Sequence, residues 1–157
     1  QALTYAQDLD KLFAELFRVV KPGAKISFLD WFILDAFDES NKEHADLLRK
    51  TKALIAAVYN PRPSEYIEKL QKAGFIVHFS KEASKSGHQY PLIQKARDFF
   101  MPLGTMVNYL TYWKLIPPQT SQLLDRLNLY VDDFIKSDSL GLFTTSWWIV
   151  GEKPLDN

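Results

Sequence analysis

The chain has 157 residues, 46% of them hydrophobic, which is enough for one domain with a substantial core. Nineteen basic and nineteen acidic residues give a formal net charge of zero, which argues against nucleic acid or an anionic surface as a partner. The absence of cysteine excludes disulfide bonds, thiolate nucleophiles and cysteine-bound metals, and three histidines alone do not predict a metal site.

The sequence predicts neither a membrane span nor a signal peptide. No apolar run approaches the roughly 20 residues that a transmembrane helix needs. The first ten residues lack the basic flank and the apolar core of a signal peptide. We therefore expect a soluble chain, and the lack of cysteine suits a reducing compartment.

A helix and a strand are predicted near the start of the chain. Apolar residues recur at helical spacing over residues 8–20, where Asp8 is a suitable N-cap and Pro22 with Gly23 ends the helix. Residues 25–33 carry β-branched and aromatic side chains on both faces, which predicts a strand in the centre of a sheet.

The end of this strand carries the first candidate site residues. In open α/β sheets ligands bind beyond the carboxyl ends of the strands, which is where Asp30, Trp31 and Asp35 fall. The alternatives are structural: Asp30 caps a helix, Trp31 belongs to the core and Asp35 forms a turn.

Two helices and a second strand are predicted next. Prolines at positions 61 and 63 end the first of these helices, and Gly74 ends the second. The predicted elements are a helix over 42–58, a helix over 64–73, a strand over 75–79 and a loop over 80–87.

The last third of the chain is predicted to be mainly helical. Residues 92–116 are apolar and aromatic, and Pro102 with Gly104 is predicted to divide them into two short helices. A long helix over 118–136 and a terminal strand over 142–153 follow. Three strands are too few for the number of helices, so we expect the second half of a larger α/β fold.

Several short motifs occur in the order typical of a known enzyme family. The matching segments are Gln1-Ala2-Leu3-Thr4, Arg18 to Lys25 (RVVKPGAK), Leu29-Asp30-Trp31, Leu34-Asp35, Ala73-Gly74-Phe75, Tyr90-Pro91-Leu92 and Leu142-Phe143-Thr144-Thr145. In this order they resemble the second half of class I S-adenosylmethionine-dependent methyltransferases, and among these the sterol 24-C-methyltransferases. The chain departs from that pattern where Asp30 replaces a usual glutamate, Leu3 interrupts an Ala-Thr pair, Tyr5 replaces a common histidine and a threonine replaces a proline near the end.

The resemblance implies the fold and its division. It implies an α/β fold, the second half of a Rossmann-like class I methyltransferase sheet with about three strands and a helical substrate-binding insertion. The expected parts are the methyltransferase core over 1–82, a sterol-binding type of insertion over 83–141, and the terminal strand and tail over 142–157.

The resemblance also implies a reaction, in which a methyl group passes from S-adenosylmethionine to a sterol side-chain alkene. The catalytic candidates are Asp30 and Trp31, and Thr4 and Tyr5 are the candidates at the cofactor. The candidates for substrate binding are Asp35, Tyr90, Phe100, Tyr109, Tyr112 and Trp113. The same aromatic residues could instead pack between the insertion helices.

One part of the family pattern has no counterpart in the chain. The family's glycine-rich cofactor loop would precede Gln1, and the six glycines present are isolated from one another. We therefore expect the chain by itself to bind the cofactor poorly and to be inactive. The missing N-terminal half or a complementary chain would complete the site, and a homo-oligomer is also consistent with the sequence.

Three functional alternatives stay open at this point. The substrate implied by the resemblance is an apolar sterol-like molecule, but another prenyl lipid such as a terpene or a quinone would need the same chemistry. The chain could also be a non-catalytic subunit that binds lipid or protein. The expected location is cytoplasmic, at the periphery of the endoplasmic reticulum or of lipid droplets.

Overall fold

A computed structural model describes residues 3–84 and 88–155 of the chain. A 3₁₀ turn (Leu3–Tyr5) precedes the main elements. These are α1 (Leu9–Val19), β1 (Lys25–Ile33), α2 (Lys42–Ile55), α3 (Pro63–Lys72), β2 (Ile76–Glu82), α4 (Tyr90–Tyr112), α5 (Pro118–Asn128), α6 (Val131–Ser139) and β3 (Phe143–Glu152). The three predicted strands and the mixed α/β class are confirmed.

The described sheet has the order β1-β3-β2, and β3 runs antiparallel to both neighbours. In the described sheet β3 takes the central place and β1 lies at an edge, and the central position predicted for residues 25–33 in a larger sheet stays a prediction. The apolar character of β1 on both faces has a different cause, since helices cover the sheet on both sides.

Two clusters of buried side chains fill the space between the sheet and these helices. The cluster that involves α1 and α3 is formed by Leu9, Phe13, Phe32, Tyr66, Leu70, Phe75 and Ile149. The cluster that involves α2 is formed by Trp31, Ile33, Phe37, Leu47, Ala57, Leu142 and Phe143. Neighbouring residues of β1 thus enter opposite cores, as the alternation of side chains along a strand requires.

The sheet register brings two carboxylates to the same end of the molecule. Trp147 of β3 pairs with Asp30 of β1 on one side and with Glu82 of β2 on the other. Two strand spacings separate the Cα atoms of the acidic residues by roughly 10 Å. Because β3 is antiparallel to both neighbours, its first half lies beside the carboxyl ends of β1 and β2.

The strand β2 continues beyond its predicted end. Residues 80–82 were predicted as loop, but Ser80 pairs with Ile149 and Glu82 pairs with Trp147, so this part of the prediction is wrong. Polar side chains are compatible with the strand here because the Trp147 indole Nε1 donates a hydrogen bond to Ser80 Oγ at 2.8 Å. Residues 85–87 of the predicted loop lie outside the described residues.

The helices also differ from their predicted lengths. Pro102 lies inside α4, which is one continuous helix rather than two. Gly104 also lies inside this helix. A Cβ atom there would lie only 3.3 Å from Leu124 Cδ2, so glycine allows α5 to approach closely. Conversely, the predicted helix over 118–136 is two helices, because Tyr130 has a left-handed backbone with φ of 68°. The left-handed Ala56 ends α2 before the predicted residue 58.

The first turn of α4 is capped by a side chain from another helix. The buried carboxylate of Asp138 in α6 accepts hydrogen bonds from the backbone N–H groups of Gln89 and Tyr90, each at 2.7 Å. Burial raises the pKa of Asp138, although the two N–H donors oppose this shift. This carboxylate anchors α4, none of whose residues is buried.

The Asp138 cap predicts a pH-dependent difference between the wild type and Asp138→Asn. A raised pKa means that the folded chain binds the proton more tightly than the unfolded chain, so this group's contribution to stability falls as the pH rises above the ordinary aspartate pKa. The asparagine keeps an acceptor oxygen without a charge. We expect the unfolding free energy of the wild type minus that of the variant to decrease between about pH 4 and pH 7 in urea titrations. A difference that is constant or increases would contradict this account.

Candidate functional site

Asp30 and Trp31 lie near the carboxyl end of β1 and are almost fully buried, at 2% and 1% exposed. The Asp30 carboxylate accepts a hydrogen bond from the Trp31 backbone N–H at Oδ1, at 2.9 Å. Its other oxygen, Oδ2, accepts one from the hydroxyl of Tyr66 at 3.3 Å. Asp30 thus faces Tyr66 of α3, whereas the side chain of Trp31 belongs to the cluster that involves α2.

Tyr66 is held by a cage of aromatic rings. Its ring makes edge-on contacts with Phe13, Phe28 and Phe32, at centroid distances of 4.8, 5.6 and 5.0 Å. Burial raises the pKa of Tyr66, and the negative charge of Asp30 and their hydrogen bond raise it further. The hydroxyl therefore remains protonated and donates to Asp30 at neutral pH.

A narrow cavity adjoins this pair. It is a tight cleft in which a water molecule does not fit, and it is lined by Leu3, Leu9, Asp30, Trp31, Tyr59, Pro61 and Tyr66. The Trp31 indole Nε1 is buried and has no hydrogen-bond partner among the described residues. A buried donor without an acceptor is uncommon and marks a place where a ligand or a water could bind.

This cavity is too small for a complete cofactor. Pockets for ligands of that size have volumes of about 300 to 1,000 Å³. This cleft, as the described residues form it, therefore does not hold a cofactor. Of the two candidates for cofactor contact, Tyr5 is exposed in the 3₁₀ turn, and the side chain of Thr4 lies outside the described residues.

Glu82 is a second carboxylate at this end of the sheet and was not identified from the sequence. Its Oε1 accepts hydrogen bonds from the Ser84 backbone N–H at 3.0 Å and from the Ser146 hydroxyl. Burial raises the pKa of Glu82, but the hydroxyls of Ser146 and Thr144 and the Ser84 N–H outweigh burial and hold it below its usual value. A prediction of β2 through residue 82 would have revealed this position.

Asp35 lies apart from the cavity. Its side chain is fully exposed, and its carboxylate lies 3.7 Å from Nη1 of Arg62. The same guanidinium donates to the carbonyl oxygen of Leu34 at 3.2 Å. The structure does not bring Asp35 together with Asp30 and Trp31.

The aromatic candidates on α4 do not converge on one pocket within the described residues. Phe100 lines a groove of about 430 Å³ between α4 and α5, formed by Ile93, Ala96, Arg97, Phe100, Leu124, Leu127, Asn128 and Val131. Tyr112 lines a separate open pocket at the turn between these helices. Tyr109 and Trp113 are exposed, and Tyr90 begins the helix, where its ring lies 5.7 Å from that of His88.

The different surroundings of the two aspartates predict different effects on stability. Asp30→Ala leaves the buried Tyr66 hydroxyl without this acceptor, so we expect the free energy of unfolding to fall by about 1 to 3 kcal/mol. Asp35→Ala removes an exposed carboxylate and should leave the unfolding midpoint unchanged. Urea unfolding followed by circular dichroism measures both. Equal effects would show that Asp30 is not held as described.

The sequence is similar to sterol methyltransferases over nearly its whole length. No family model matches the chain. It is 25% identical over 174 residues to the sterol 24-C-methyltransferase of Aspergillus fumigatus, which covers 98% of this chain and 46% of that protein. It is 23% identical over 166 residues to the cycloartenol-C-24-methyltransferase of Arabidopsis thaliana, covering 98% of this chain and 49% of that protein. The chain thus spans about half the length of the curated relatives it matches.

Solved structures show the same fold at lower sequence identity. Phosphoethanolamine N-methyltransferase 2 of Haemonchus contortus matches 98% of this chain and 32% of its own chain, with a TM-score of 0.65 and 15% identity. The geranyl diphosphate C-methyltransferase of Streptomyces coelicolor matches 99% of this chain and 46% of its own, with a TM-score of 0.56 and 17% identity. The chain therefore has a Rossmann-like class I methyltransferase fold, and the predicted resemblance to the sterol 24-C-methyltransferases is confirmed.

Proposed function

We propose that this chain is the C-terminal, substrate-facing part of a methyltransferase that transfers a methyl group from S-adenosylmethionine to an alkene in a sterol side chain. The observation that carries the proposal is the buried pair of Asp30 and Tyr66 near the carboxyl end of β1, at the sheet edge where ligands bind in this fold. The similarity to sterol 24-C-methyltransferases supports the choice of substrate.

The residues of this site suit a reaction with a cationic intermediate. S-adenosylmethionine supplies an electrophilic methyl group, and adding that group to an alkene leaves a positive charge on the neighbouring carbon. We propose that the carboxylate of Asp30 stabilises that charge and then accepts a proton. The ring of Trp31 packs in the cluster that involves α2, 5.5 Å from the ring of Phe143, so we assign Trp31 to the support of Asp30 and not to contact with the cation.

The groove between α4 and α5 supports an apolar substrate. Its volume of about 430 Å³ lies within the range of small-molecule sites, and mostly apolar side chains line it. Arg97 at the groove is paired with Asp132, with 2.7 Å between Nε and Oδ1, so it brings no free charge to the groove. We propose that Phe100 contacts the body of the substrate, with Tyr90, Tyr109, Tyr112 and Trp113 along the same helical insertion and Asp35 at its rim.

A second substrate class shares this chemistry. The fold is also that of a C-methyltransferase solved in complex with geranyl diphosphate, a short prenyl compound. Methylation of another prenyl lipid would place an alkene at Asp30 in the same way. Parallel assays with a sterol and a linear prenyl alkene distinguish the two substrates.

The rest of the cofactor site would come from residues beyond this chain. In the described sheet, β1 has β3 on one side and no strand on the other, so its outer edge can pair with a strand from the remainder of the protein or from a complementary chain. We propose the division into a core over 1–82, an insertion over 83–141 and a terminal strand over 142–157.

Of the helices that the structure describes, none has the length and apolar character needed to cross a bilayer. We place the protein in the cytoplasm, at the periphery of the endoplasmic reticulum or of lipid droplets.

The proposed reaction predicts methyl transfer by the full-length protein. With labelled S-adenosylmethionine and a sterol that has a side-chain alkene, we expect labelled sterol, and we expect Asp30→Ala to lower kcat by about 10²- to 10⁴-fold, the usual contribution of a general base. Mass spectrometry of the sterol fraction measures the product. If the wild type labels no sterol or prenyl alkene, the proposal fails. An unchanged rate in Asp30→Ala would remove Asp30 from the mechanism.

The groove predicts a second kinetic effect. Phe100→Ala removes an apolar contact with the substrate body in both the ground state and the transition state, so we expect KM for the sterol to rise about tenfold with little change in kcat. Leu92→Ala is the matched control, because Leu92 lies on the same helix, is 74% exposed and is not among the residues that line the groove. Equal changes in KM for the two variants would argue against the groove as the substrate site.

A further inference from the structure

The hydroxyl of Tyr66 is polar in an otherwise apolar setting. The ring is packed edge-on against three phenylalanines, and the residue is only 1% exposed. A buried hydroxyl is unfavourable unless it is hydrogen-bonded, whereas a phenylalanine ring would fill the same space without this cost. The gain from the hydroxyl must therefore come through its hydrogen bond to Asp30.

The two oxygens of Asp30 are held from different directions. Oδ1 is fixed by the backbone N–H of the next residue, Trp31, and Oδ2 by the hydroxyl of Tyr66 on α3. Donors on both oxygens restrict rotation of the carboxylate about its Cβ–Cγ bond. Asp30 and Tyr66 both line the tight cleft at this end of the sheet, so the restriction acts on the carboxylate that the proposed function names as the base.

We propose that Tyr66 is a positioning residue, whose hydroxyl sets the orientation of the Asp30 carboxylate and thereby selects which hydrogen the substrate cation loses. This inference rests on the proposed function. In the selected step, a C–H bond next to the cationic carbon breaks, its electron pair forms the new C=C bond, and the proton passes to a carboxylate oxygen of Asp30. The step needs no oxidant, reductant or further reactant.

The distribution of products tests this role. A cation with hydrogens on more than one neighbouring carbon can give more than one alkene, and a loosely held base discriminates less between them. We expect Tyr66→Phe in the full-length protein to raise the share of minor alkene products about tenfold and to lower kcat by about tenfold or more, with KM for the sterol little changed. Gas chromatography with mass spectrometry separates the isomers.

The matched control is Phe28→Leu. It removes one of the three ring contacts of Tyr66 and keeps the hydroxyl. Products come only from folded molecules, so loss of stability lowers the yield without changing the product ratio. We expect the Phe28→Leu ratio to equal that of the wild type. An altered ratio in both variants would assign the effect to packing and overturn the positioning role.

A measurement without turnover tests the contact itself. In the NMR spectrum of protein labelled with carbon-13 at tyrosine Cζ, the Tyr66 signal is the one that is absent from the spectrum of the Tyr66→Phe variant. We expect this signal to shift in Asp30→Asn, because a neutral amide replaces the charged acceptor. An unshifted signal overturns the proposal.

The kinetic outcomes separate the two proposals. An active wild type with an unchanged product ratio in Tyr66→Phe overturns the positioning role and leaves the proposed function standing. A wild type without methyl transfer overturns the proposed function and, with it, the role given to Tyr66.

Discussion

The antiparallel pairing of β3 with both of its neighbours is the constraint on which the rest of the structure depends. This pairing places Trp147 between Asp30 and Glu82 in one row across the sheet. It also brings the first half of β3, with Thr144 and Ser146, to the carboxyl ends of the other two strands. The position of β3 therefore brings the acidic groups and the hydroxyls to the same edge of the sheet.

Gathering carboxylates at a buried edge is costly unless each of them is hydrogen-bonded. The structure meets this requirement differently in each case. Asp30 is held by a backbone N–H and a tyrosine hydroxyl, Glu82 by serine groups, and Asp138 by the first N–H groups of α4. Each carboxylate has at least one donor from an element that is distant in sequence, namely Tyr66 for Asp30, Ser146 for Glu82 and the start of α4 for Asp138, so the fold as a whole assembles this edge.

This distance in sequence explains what could be predicted from the residues alone. The N-cap at Asp8 and the stop at Gly74 were predicted because they are local: Asp8 accepts from the Lys11 N–H at 3.0 Å, and Gly74 has a φ of 105°. Asp30 and Trp31 were identified from their position at the end of a strand. By contrast, Tyr66 is 36 positions from Asp30, and nothing in the local pattern relates them. The sequence does not predict the strand order for the same reason, because an apolar strand does not reveal whether helices or other strands surround it.

The long insertion helix α4 shows how the site and the groove depend on each other. A helix without buried residues gains little from packing, and helical propensity alone is marginal in water. Its position is therefore set at its first turn by Asp138 and along its length by α5 and α6. Asp138 precedes β3, where Thr145 donates a hydrogen bond to Gln89 next to the same turn. The strand that aligns Asp30 with Glu82 thus also orients the helix that carries Phe100. A substrate bound in the groove would therefore be held in a fixed direction relative to the carboxylates at the sheet edge.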